Sequence, residues 1–255
     1  MHMRTKKWAR PELAACPFFL DAIQGREAQP GALRNGWRQR FSQPDRPLHL
    51  EVGCGKGVST GRMIADQPEI NFVAADLSYD ILGCARRNLT AACGEHPQNA
   101  LLLMADVCFI DQVFGPEDRV ERIYIHFCNP WSEHARHEKR RLTHPRQLMQ
   151  YRTFLAPGGE IHLKTDDDDL FDDSRVYLQL CGFEPDFLTR DLHASGFGPN
   201  YVSEHEEKYA AMGVPIKFGL FRMKESSPGF DPTRFRLTPG LRKETLRLLD
   251  ACGKA

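Results

Sequence analysis

A short apolar segment that runs into a glycine-rich turn is the feature that most constrains the fold of this chain. Residues 48–52 read Leu-His-Leu-Glu-Val, and residues 53–57 read Gly-Cys-Gly-Lys-Gly. The first segment predicts a β-strand, and residues 58–67, which follow the turn, predict a helix. Glycines let the backbone turn tightly and approach a ligand closely. A strand, a glycine turn and a helix in this order are typical of a doubly wound α/β domain.

Strands and helices alternate along the rest of the chain, which predicts an α/β, Rossmann-like fold with helices on both faces of a mostly parallel sheet. The seven strands that we predict are 48–52, 71–75, 100–104, 122–127, 160–164, 183–188 and 216–223. The main later helices that we predict are 78–92 with a Ser78 cap, one that begins at a Thr143 cap with Pro145 in its first turn, and 168–181.

Composition divides the chain into three expected regions. Residues 1–46 predict a basic N-terminal arm, residues 47–224 the α/β domain, and residues 225–255 a linker and C-terminal tail. The formal net charge is zero, with 34 Lys and Arg against 34 Asp and Glu. Binding to nucleic acid would therefore depend on local basic patches, which the sequence has within 1–10 and 136–146.

The cysteines and the apolar segments predict the compartment. The eight cysteines contain no C-x-x-C pair, which argues against a zinc ribbon or a thioredoxin-like site. The histidines of 126–144 match no common zinc spacing, so we expect no metal. Reduced thiols, the lack of an apolar signal region and the lack of a long apolar run predict a cytoplasmic protein with no membrane partner.

Three carboxylates follow or end three successive predicted strands, next to the glycines of the turn, Gly53 and Gly55. Glu51 precedes the turn, where it would repel a diphosphate but suits a ligand with an ammonium group, such as the methionine end of S-adenosylmethionine. Asp76 ends the second strand, at the distance along the chain from which an acid can bind ribose hydroxyls. Asp106 follows the third strand at the same sheet edge. An S-adenosylmethionine pocket is the leading interpretation, a nicotinamide dinucleotide pocket is the alternative, and Asp76 and Asp106 could instead cap helices.

Asn129-Pro130-Trp131 comes directly after the apolar strand 122–127, and a basic cluster over 136–141 follows it. Because active sites of open α/β sheets lie at the carboxyl ends of the strands, these residues are delivered to the expected site. An amide with an aromatic ring suits a nucleobase, and a basic cluster suits phosphate. The alternative is a solvated basic loop in which Trp131 is a packing anchor.

Together these segments resemble the bacterial tRNA (guanine-N7-)-methyltransferase family, and the likeness runs from about Lys6 to Met223. The motifs that carry it are Lys6-Lys7-Trp8-Ala9, His49 to Gly57, Phe127 to Trp131, His137 to Leu142, Lys164-Thr165-Asp166 and Ser203 to Tyr209. The resemblance implies the class I methyltransferase fold. It also implies methyl transfer from S-adenosylmethionine to N7 of a guanine in the variable loop of tRNA, without a metal.

The resemblance also implies roles for individual residues. Those expected to bind the methyl donor are Glu51, Gly53, Gly55, Asp76, Asp106 and Asn129. Those expected to be catalytic are Asn129 and Asp166. Those expected to bind the substrate are Glu133, His134, Arg140, Arg141, Asp166, Ser203 and Glu206. The expected partner is tRNA, no obligatory protein partner is implied, and the choice between monomer and homodimer stays open.

The chain departs from the family pattern at three positions, and its spacing from Trp131 to His137 is one residue longer than usual. Asn129 stands where the family usually has a catalytic Asp, Glu133 where it has a lysine, and Ser203 where it has a threonine. Guanine N7 carries a lone pair and needs no proton removed, so positioning and desolvation dominate the chemistry. An Asn carbonyl can accept a hydrogen bond from guanine but brings no charge. We therefore expect a slower reaction or a charge role shifted to Asp166. A slow or non-catalytic tRNA-binding relative and a small-molecule methyltransferase remain the alternatives.

Overall fold

The computed structural model describes residues 5–24, 28–29, 31–132, 135–229, 231–234 and 237–252. The strands within these residues are β1 (Phe19–Asp21), β2 (Leu48–Val52), β3 (Asn71–Asp76), β4 (Ala100–Met104), β5 (Val120–His126), β6 (Leu155–Thr165), β7 (Phe183–Thr189) and β8 (Lys217–Met223). The α-helices within them are α1 (Ala9–Ala14), α2 (Val58–Asp66), α3 (Tyr79–Cys93), α4 (Pro145–Phe154), α5 (Asp168–Leu180), α6 (Leu192–Ser195), α7 (Glu204–Ala211) and α8 (Pro239–Cys252).

The strands form one sheet in the order β1-β4-β3-β2-β5-β6-β8-β7. Strands β1 to β6 pair in parallel, whereas β8 pairs antiparallel with both β6 and β7. The connections run outward from β2 on one side and from β5 on the other, so the strand order reverses between these two neighbours. In open α/β sheets the ligand crevice lies outside the carboxyl ends of the strands at such a reversal.

All seven predicted strands are confirmed, but the described part of the chain holds an eighth, so the predicted number was one too low. The additional strand, β1, has three residues and pairs with β4. It lies in the segment predicted to be a basic arm. A three-residue strand is too short to show a repeating apolar pattern, and only its pairing partner identifies it.

Each face of the sheet carries its own apolar cluster. The α4 and α5 side buries large rings and aliphatic side chains against β2, β5 and β6, among them Phe114, Tyr151, Phe154 and Phe171. The other side buries side chains of α1, α2 and α3 against β3 and β4, among them Leu13, Met63, Leu82 and Leu89. Both faces are covered by helices, as the alternation of elements predicts.

Residues of the 1–46 segment pack into both clusters. Trp37 is fully buried and stacks on Phe114 with ring centroids 4.6 Å apart. On the other face Ala9 lies against Gly83, where an added Cβ would come within 2.6 Å of the Ala9 methyl group. These contacts tie the segment to the sheet, and the division of the chain into three regions stays a prediction.

One of the two predicted helix caps is confirmed and the other is wrong. The Ser78 hydroxyl accepts the Ile81 N–H at the start of α3. Helix α4 is capped by His144, whose Nδ1 accepts the Arg146 N–H, and not by Thr143. The Thr143 hydroxyl is instead buried in a 2.7 Å hydrogen bond with Ser174 on α5. The sequence could not show this competing partner.

Candidate functional site

The glycine turn between β2 and α2 adopts a backbone that favours glycine. Gly53, Gly55 and Gly57 have φ angles of 77°, 57° and 70°, in the left-handed region. A Cβ on Gly57 would come within 2.9 Å of the Leu89 side chain on α3. At Gly55 a Cβ would meet nothing within 4 Å, and the Gly55 N–H donates to Asp76 Oδ2 at 3.2 Å. The turn therefore presents an open stretch of backbone beside a carboxylate.

Glu51 is a buried carboxylate at the end of β2, only 3% exposed. Its Oε2 accepts the Thr60 hydroxyl at 2.5 Å, and its Oε1 lies 3.7 Å from His126 Nδ1. Burial raises the pKa of Glu51 to about 7, against the opposing effects of the Thr60 hydrogen bond and the Lys164 charge. A buried carboxylate with little compensation would be stabilised in its charged form by a cationic ligand.

Asp76 ends β3, and Asp106 follows β4, the strand that pairs with β3. Burial raises the pKa of Asp76, although the N–H groups of Ser78 and Gly55 donate to it. Leu77 and Phe109 are 55% and 56% exposed, and with Asp106 they line a cavity of about 410 Å³. Asp106 also caps the 3-10 helix over 107–112 by accepting the Cys108 N–H at 2.9 Å. An apolar slot beside a carboxylate suits a flat base with an amino group.

The loop after β5 is tightly folded around Asn129. Its neighbours Phe127 and Trp131 have φ angles of 51° and 49°, which side-chain-bearing residues rarely adopt. The side-chain oxygen of Asn129, Oδ1, accepts the Trp131 N–H at 3.0 Å. The backbone N–H of Phe127 donates to the backbone carbonyl of Lys164 at 2.7 Å. The carbonyl side of Asn129 therefore faces its own loop, and its amide N–H groups are the atoms that this side chain offers to a ligand.

The two arginines of the basic cluster occupy different environments. Arg140 is exposed, with its guanidinium 5.1 Å from the centre of the Trp131 ring. Arg141 is 3% exposed and donates from Nε to the Pro130 carbonyl at 2.6 Å and from Nη1 to Asp173 at 2.7 Å. Arg140 is therefore placed to meet a ligand, whereas Arg141 holds the loop from inside. Glu133 and His134 lie outside the described residues.

Asp166 follows β6, the neighbour of β5, and so lies at the same sheet edge as Asn129. Its Oδ1 accepts His205 Nε2 at 3.0 Å, and its backbone carbonyl accepts Lys217 Nζ at 3.0 Å. Burial alone would raise its pKa, but the His205 hydrogen bond and the positive charges of His205 and Lys217 together lower it. Asp166 is thus a carboxylate kept ionised at the carboxyl end of β6.

Glu206 and Ser203 support the segment that leads into α7. Glu206 is fully buried and accepts hydrogen bonds from Lys164 at 2.7 Å, Asn200 at 2.7 Å and His193 at 2.9 Å. Burial opposes the effect, but these donors, with Lys164 foremost, lower the pKa of Glu206. The Ser203 hydroxyl caps α7 by accepting the Glu206 N–H at 3.1 Å. The structure thus gives both residues internal partners.

The same segment is bonded across to α2 and the glycine turn. Lys56 Nζ lies 2.8 Å from Glu204 Oε2, and Arg62 donates to the Val202 carbonyl at 2.9 Å. These bonds hold the segment against α2 and the glycine turn.

Three residues of this site were not predicted: Lys164, Asn200 and His205. Lys164 is the most informative of them because it is 2% exposed, and burial lowers its pKa against the opposing effect of Glu206. A lysine inside an apolar strand is an unusual pattern and could have indicated a buried ion pair. Asn200 lies in a polar segment without a comparable signal, and His205 lies within the Ser203 to Tyr209 motif, which carries the resemblance but gave this residue no role.

Comparison with known proteins gives consistent results. The family model described as "Putative methyltransferase" matches residues 45–218. A tRNA (guanine-N(7)-)-methyltransferase of Clostridium perfringens (strain SM101 / Type A) is 47% identical over 221 residues, which cover 86% of this chain and 97% of that protein. The enzyme of the same name from Clostridium beijerinckii is 42% identical over 229 residues, which cover 89% of this chain and 100% of that protein.

Similar solved structures show the fold. The 16S rRNA methyltransferase KamB superposes with a TM-score of 0.51 at 13% identity, covering 73% of this chain and 90% of that one. A 16S rRNA (adenine(1408)-N(1))-methyltransferase mutant from Catenulisporales acidiphilia, solved with cosubstrate SAM, gives 0.50 at 12% identity, with 76% and 90% covered. With the strand order, these likenesses confirm the Rossmann-like class I methyltransferase fold.

Two features are absent from the part of the chain that the structure describes. None of its helices combines the length and the apolar character needed to cross a membrane. None of its His, Cys, Asp and Glu side chains form a group of three or more that could hold a metal ion.

Proposed function

Because the chain belongs to the tRNA (guanine-N(7)-)-methyltransferase family, we propose that it transfers a methyl group from S-adenosylmethionine to N7 of a guanine in the variable loop of tRNA. The observation that carries the proposal is the reversal of strand order between β2 and β5, outside which the ligand crevice of such sheets lies. The buried carboxylate of Glu51 and the half-buried carboxylate of Asp76 lie on the side that we assign to the methyl donor. The Asn129 amide and the ionised Asp166 lie on the side that we assign to the methyl acceptor. A tRNA-modifying enzyme works where tRNA is used, so we propose a cytoplasmic location.

The residues present fit S-adenosylmethionine, which supplies a methyl group on a sulfonium. Glu51 binds the ammonium group of the methionine part, since burial leaves this carboxylate in need of a positive partner. Asp76 binds the ribose hydroxyls beside the open backbone at Gly55. Leu77 and Phe109 cover the faces of the adenine, and Asp106 accepts a hydrogen bond from the adenine amino group.

On the acceptor side, Asn129 and Asp166 position the guanine. Asn129 donates from its amide nitrogen to guanine O6, the acceptor next to N7, because its carbonyl oxygen already accepts the Trp131 N–H. Asp166 accepts the N1–H and N2–H groups, and its negative charge offsets the positive charge that forms on the methylated base. Adenine has a donor where guanine has O6, so this pairing also favours guanine over adenine.

Three cations near the start of α3 are proposed to bind tRNA phosphates, and of these Lys7 and Arg10 are exposed and Lys6 is half-buried. Lys6, Lys7 and Arg10 line a cavity of about 370 Å³ with Asp80 and Tyr79. The arm is held there by the Lys6 N–H, which donates to Asp80 at 2.7 Å, so side-chain substitutions leave its backbone anchored.

We expect the Lys6→Ala/Lys7→Ala/Arg10→Ala variant to bind tRNA more weakly and with a shallower salt dependence, by about one unit of slope for each phosphate that the arm no longer binds. Its affinity for S-adenosylmethionine should stay at the wild-type value. A titration of labelled tRNA at several salt concentrations measures this. The control is Arg222→Ala/Lys224→Ala, in and directly after β8, which lies far along the sheet from β3 and β4. An equal loss in both variants would contradict a specific role for the arm.

Methyl transfer from labelled S-adenosylmethionine to unmodified tRNA, to ribosomal RNA and to a panel of small acceptors tests the function itself. Incorporation into tRNA alone is expected. Binding of both tRNA and the methyl donor without any incorporation would instead identify a catalytically silent relative, the alternative that Asn129 favours. Incorporation only into small acceptors would overturn the proposal.

A further inference from the structure

The C-terminal helix α8 is joined to the Asn129 loop by a short chain of charged side chains, of which Arg141 is buried and Asp173 and Arg242 are partly exposed. Arg141 donates from Nε to the Pro130 carbonyl at 2.6 Å and from Nη1 to Asp173 Oδ2 at 2.7 Å. The second oxygen of Asp173, Oδ1, accepts Nε of Arg242, on the first turn of α8, at 2.6 Å. One carboxylate on α5 thus links a helix far along the chain to the backbone of the loop that carries Asn129.

Helix α8 is anchored to α5 at both of its ends. Near its start, Arg242 also donates to Asp169 at 2.9 Å. Near its end, Asp250 accepts Arg175 at 2.5 Å, and the adjacent Leu249 is 8% exposed. A helix held at both ends can fix the direction of Arg242, and therefore the position of Asp173.

The position of the loop depends on this support because its own backbone is strained. Phe127 and Trp131, which flank Asn129, both have positive φ angles. Residues in such conformations persist only where the surroundings hold them. Arg141 supplies this support through its hydrogen bond to the Pro130 carbonyl. Arg141 is buried, so its orientation is set by the oxygen atoms that it meets.

We propose that α8 is a brace for the acceptor side of the site, in which Arg242, through Asp173 and Arg141, positions Asn129 for methyl transfer. The inference rests on the proposed function, because it treats the Asn129 loop as the acceptor side. Helix α8 lies outside residues 45–218, the part of the chain that matches the methyltransferase family model. The brace thus joins a helix outside the matched residues to Arg141 and Asp173 within them. Arg141, Asp173 and Arg242 are positioning residues, not catalytic ones.

The test compares the full-length wild type with Arg242→Met, Arg242→Lys and, as matched control, Arg234→Met. Arg234 precedes α8, is 90% exposed and pairs with Asp231 three residues earlier. We expect Arg242→Met to lower the single-turnover rate at saturating tRNA and methyl donor by roughly tenfold. A full misplacement of about 1 Å can cost about 10²-fold, and loss of the brace should shift Asn129 by less than that. Lysine keeps the positive charge but lacks the planar guanidinium that bonds two carboxylates at once. The rate of Arg242→Lys should therefore lie between those of the wild type and Arg242→Met. Arg234→Met should match the wild type.

Two further readouts distinguish a brace from other roles. Hydrogen exchange of the Trp131 amide, which donates to Asn129, should accelerate in Arg242→Met, while the amides of β2 stay protected. The Kd for tRNA should stay within about twofold of wild type. A wild-type rate in Arg242→Met would overturn the proposal, and so would a loss confined to tRNA affinity. If the wild type itself transfers no methyl group, the proposed function fails, and Trp131 exchange still decides whether the brace exists.

Discussion

Single-turnover methyl transfer by the Asp166→Asn variant is expected to be about 10²-fold slower than by the wild type, at saturating tRNA and methyl donor. The substitution keeps the shape of the side chain and an oxygen that can accept His205 Nε2, as Asp166 does at 3.0 Å. It removes the negative charge that we assign to the guanine edge. Bonds to a charged acceptor are roughly twice as strong as neutral ones, and here the charge also offsets the positive base that forms.

Asn129→Asp is the companion substitution, because it restores the charge on the neighbouring strand end. In the Asp166→Asn background the restored charge should recover part of the lost rate. Alone, the substitution should slow the reaction, because an ionised Asp cannot donate to guanine O6. Asn129→Ala removes both the oxygen and the nitrogen of the side-chain amide. It should therefore slow the reaction in the wild-type protein and in the Asp166→Asn variant alike. An Asp166→Asn variant with the wild-type rate would contradict the charge role, and a wild-type rate in Asn129→Ala would contradict the contact to guanine O6.

The affinity for S-adenosylmethionine is expected to fall as the pH is lowered below about 7, approaching a tenfold loss per pH unit. The pKa of Glu51 in the empty protein is about 7, raised by burial. The ionised form binds the ammonium group and the protonated form does not, so binding is strongest above this pKa and declines below it. The ligand's own amino group loses its proton at about pH 8, which limits the test to roughly pH 5.5 to 7.5.

Calorimetric or fluorescence titrations across this range measure the effect, with Glu51→Gln as the test variant. At pH 7.5 the variant should bind roughly 10²-fold more weakly, and its pH dependence should disappear. 5′-Methylthioadenosine, which lacks the ammonium group, is the matched ligand control and should show no such dependence with either protein. A wild-type pH profile in Glu51→Gln would remove Glu51 from the ammonium contact.

The parts of the fold that sequence predicts well are those that repeat locally. The β2 strand and its glycine turn are marked by residue type and order alone, and the Ser78 cap by its place before an apolar period. Strand β1 and the burial of Trp37 are not predictable in this way. Both depend on partners elsewhere, namely β4 for the strand and Phe114 for the ring.

The same distinction holds for the site. The carboxylates at the strand ends are predicted because topology alone brings such ends together. The environment of each side chain is not predicted. Arg140 and Arg141 are adjacent and chemically identical, yet one is exposed over Trp131 and the other is buried between Pro130 and Asp173. The partner that neutralises a charge lies far along the chain, so sequence spacing carries no information about it.

The most direct test of the central claim is to map the methylated base in an unmodified tRNA after incubation with the full-length protein and S-adenosylmethionine. Borohydride and aniline treatment cleaves the chain at N7-methylguanosine. We predict one cleavage, at a guanosine of the variable loop, and none in a transcript in which that guanosine is replaced by adenosine. Methyl groups at another atom or in another region of the tRNA, or no transfer while both ligands bind, would contradict the account.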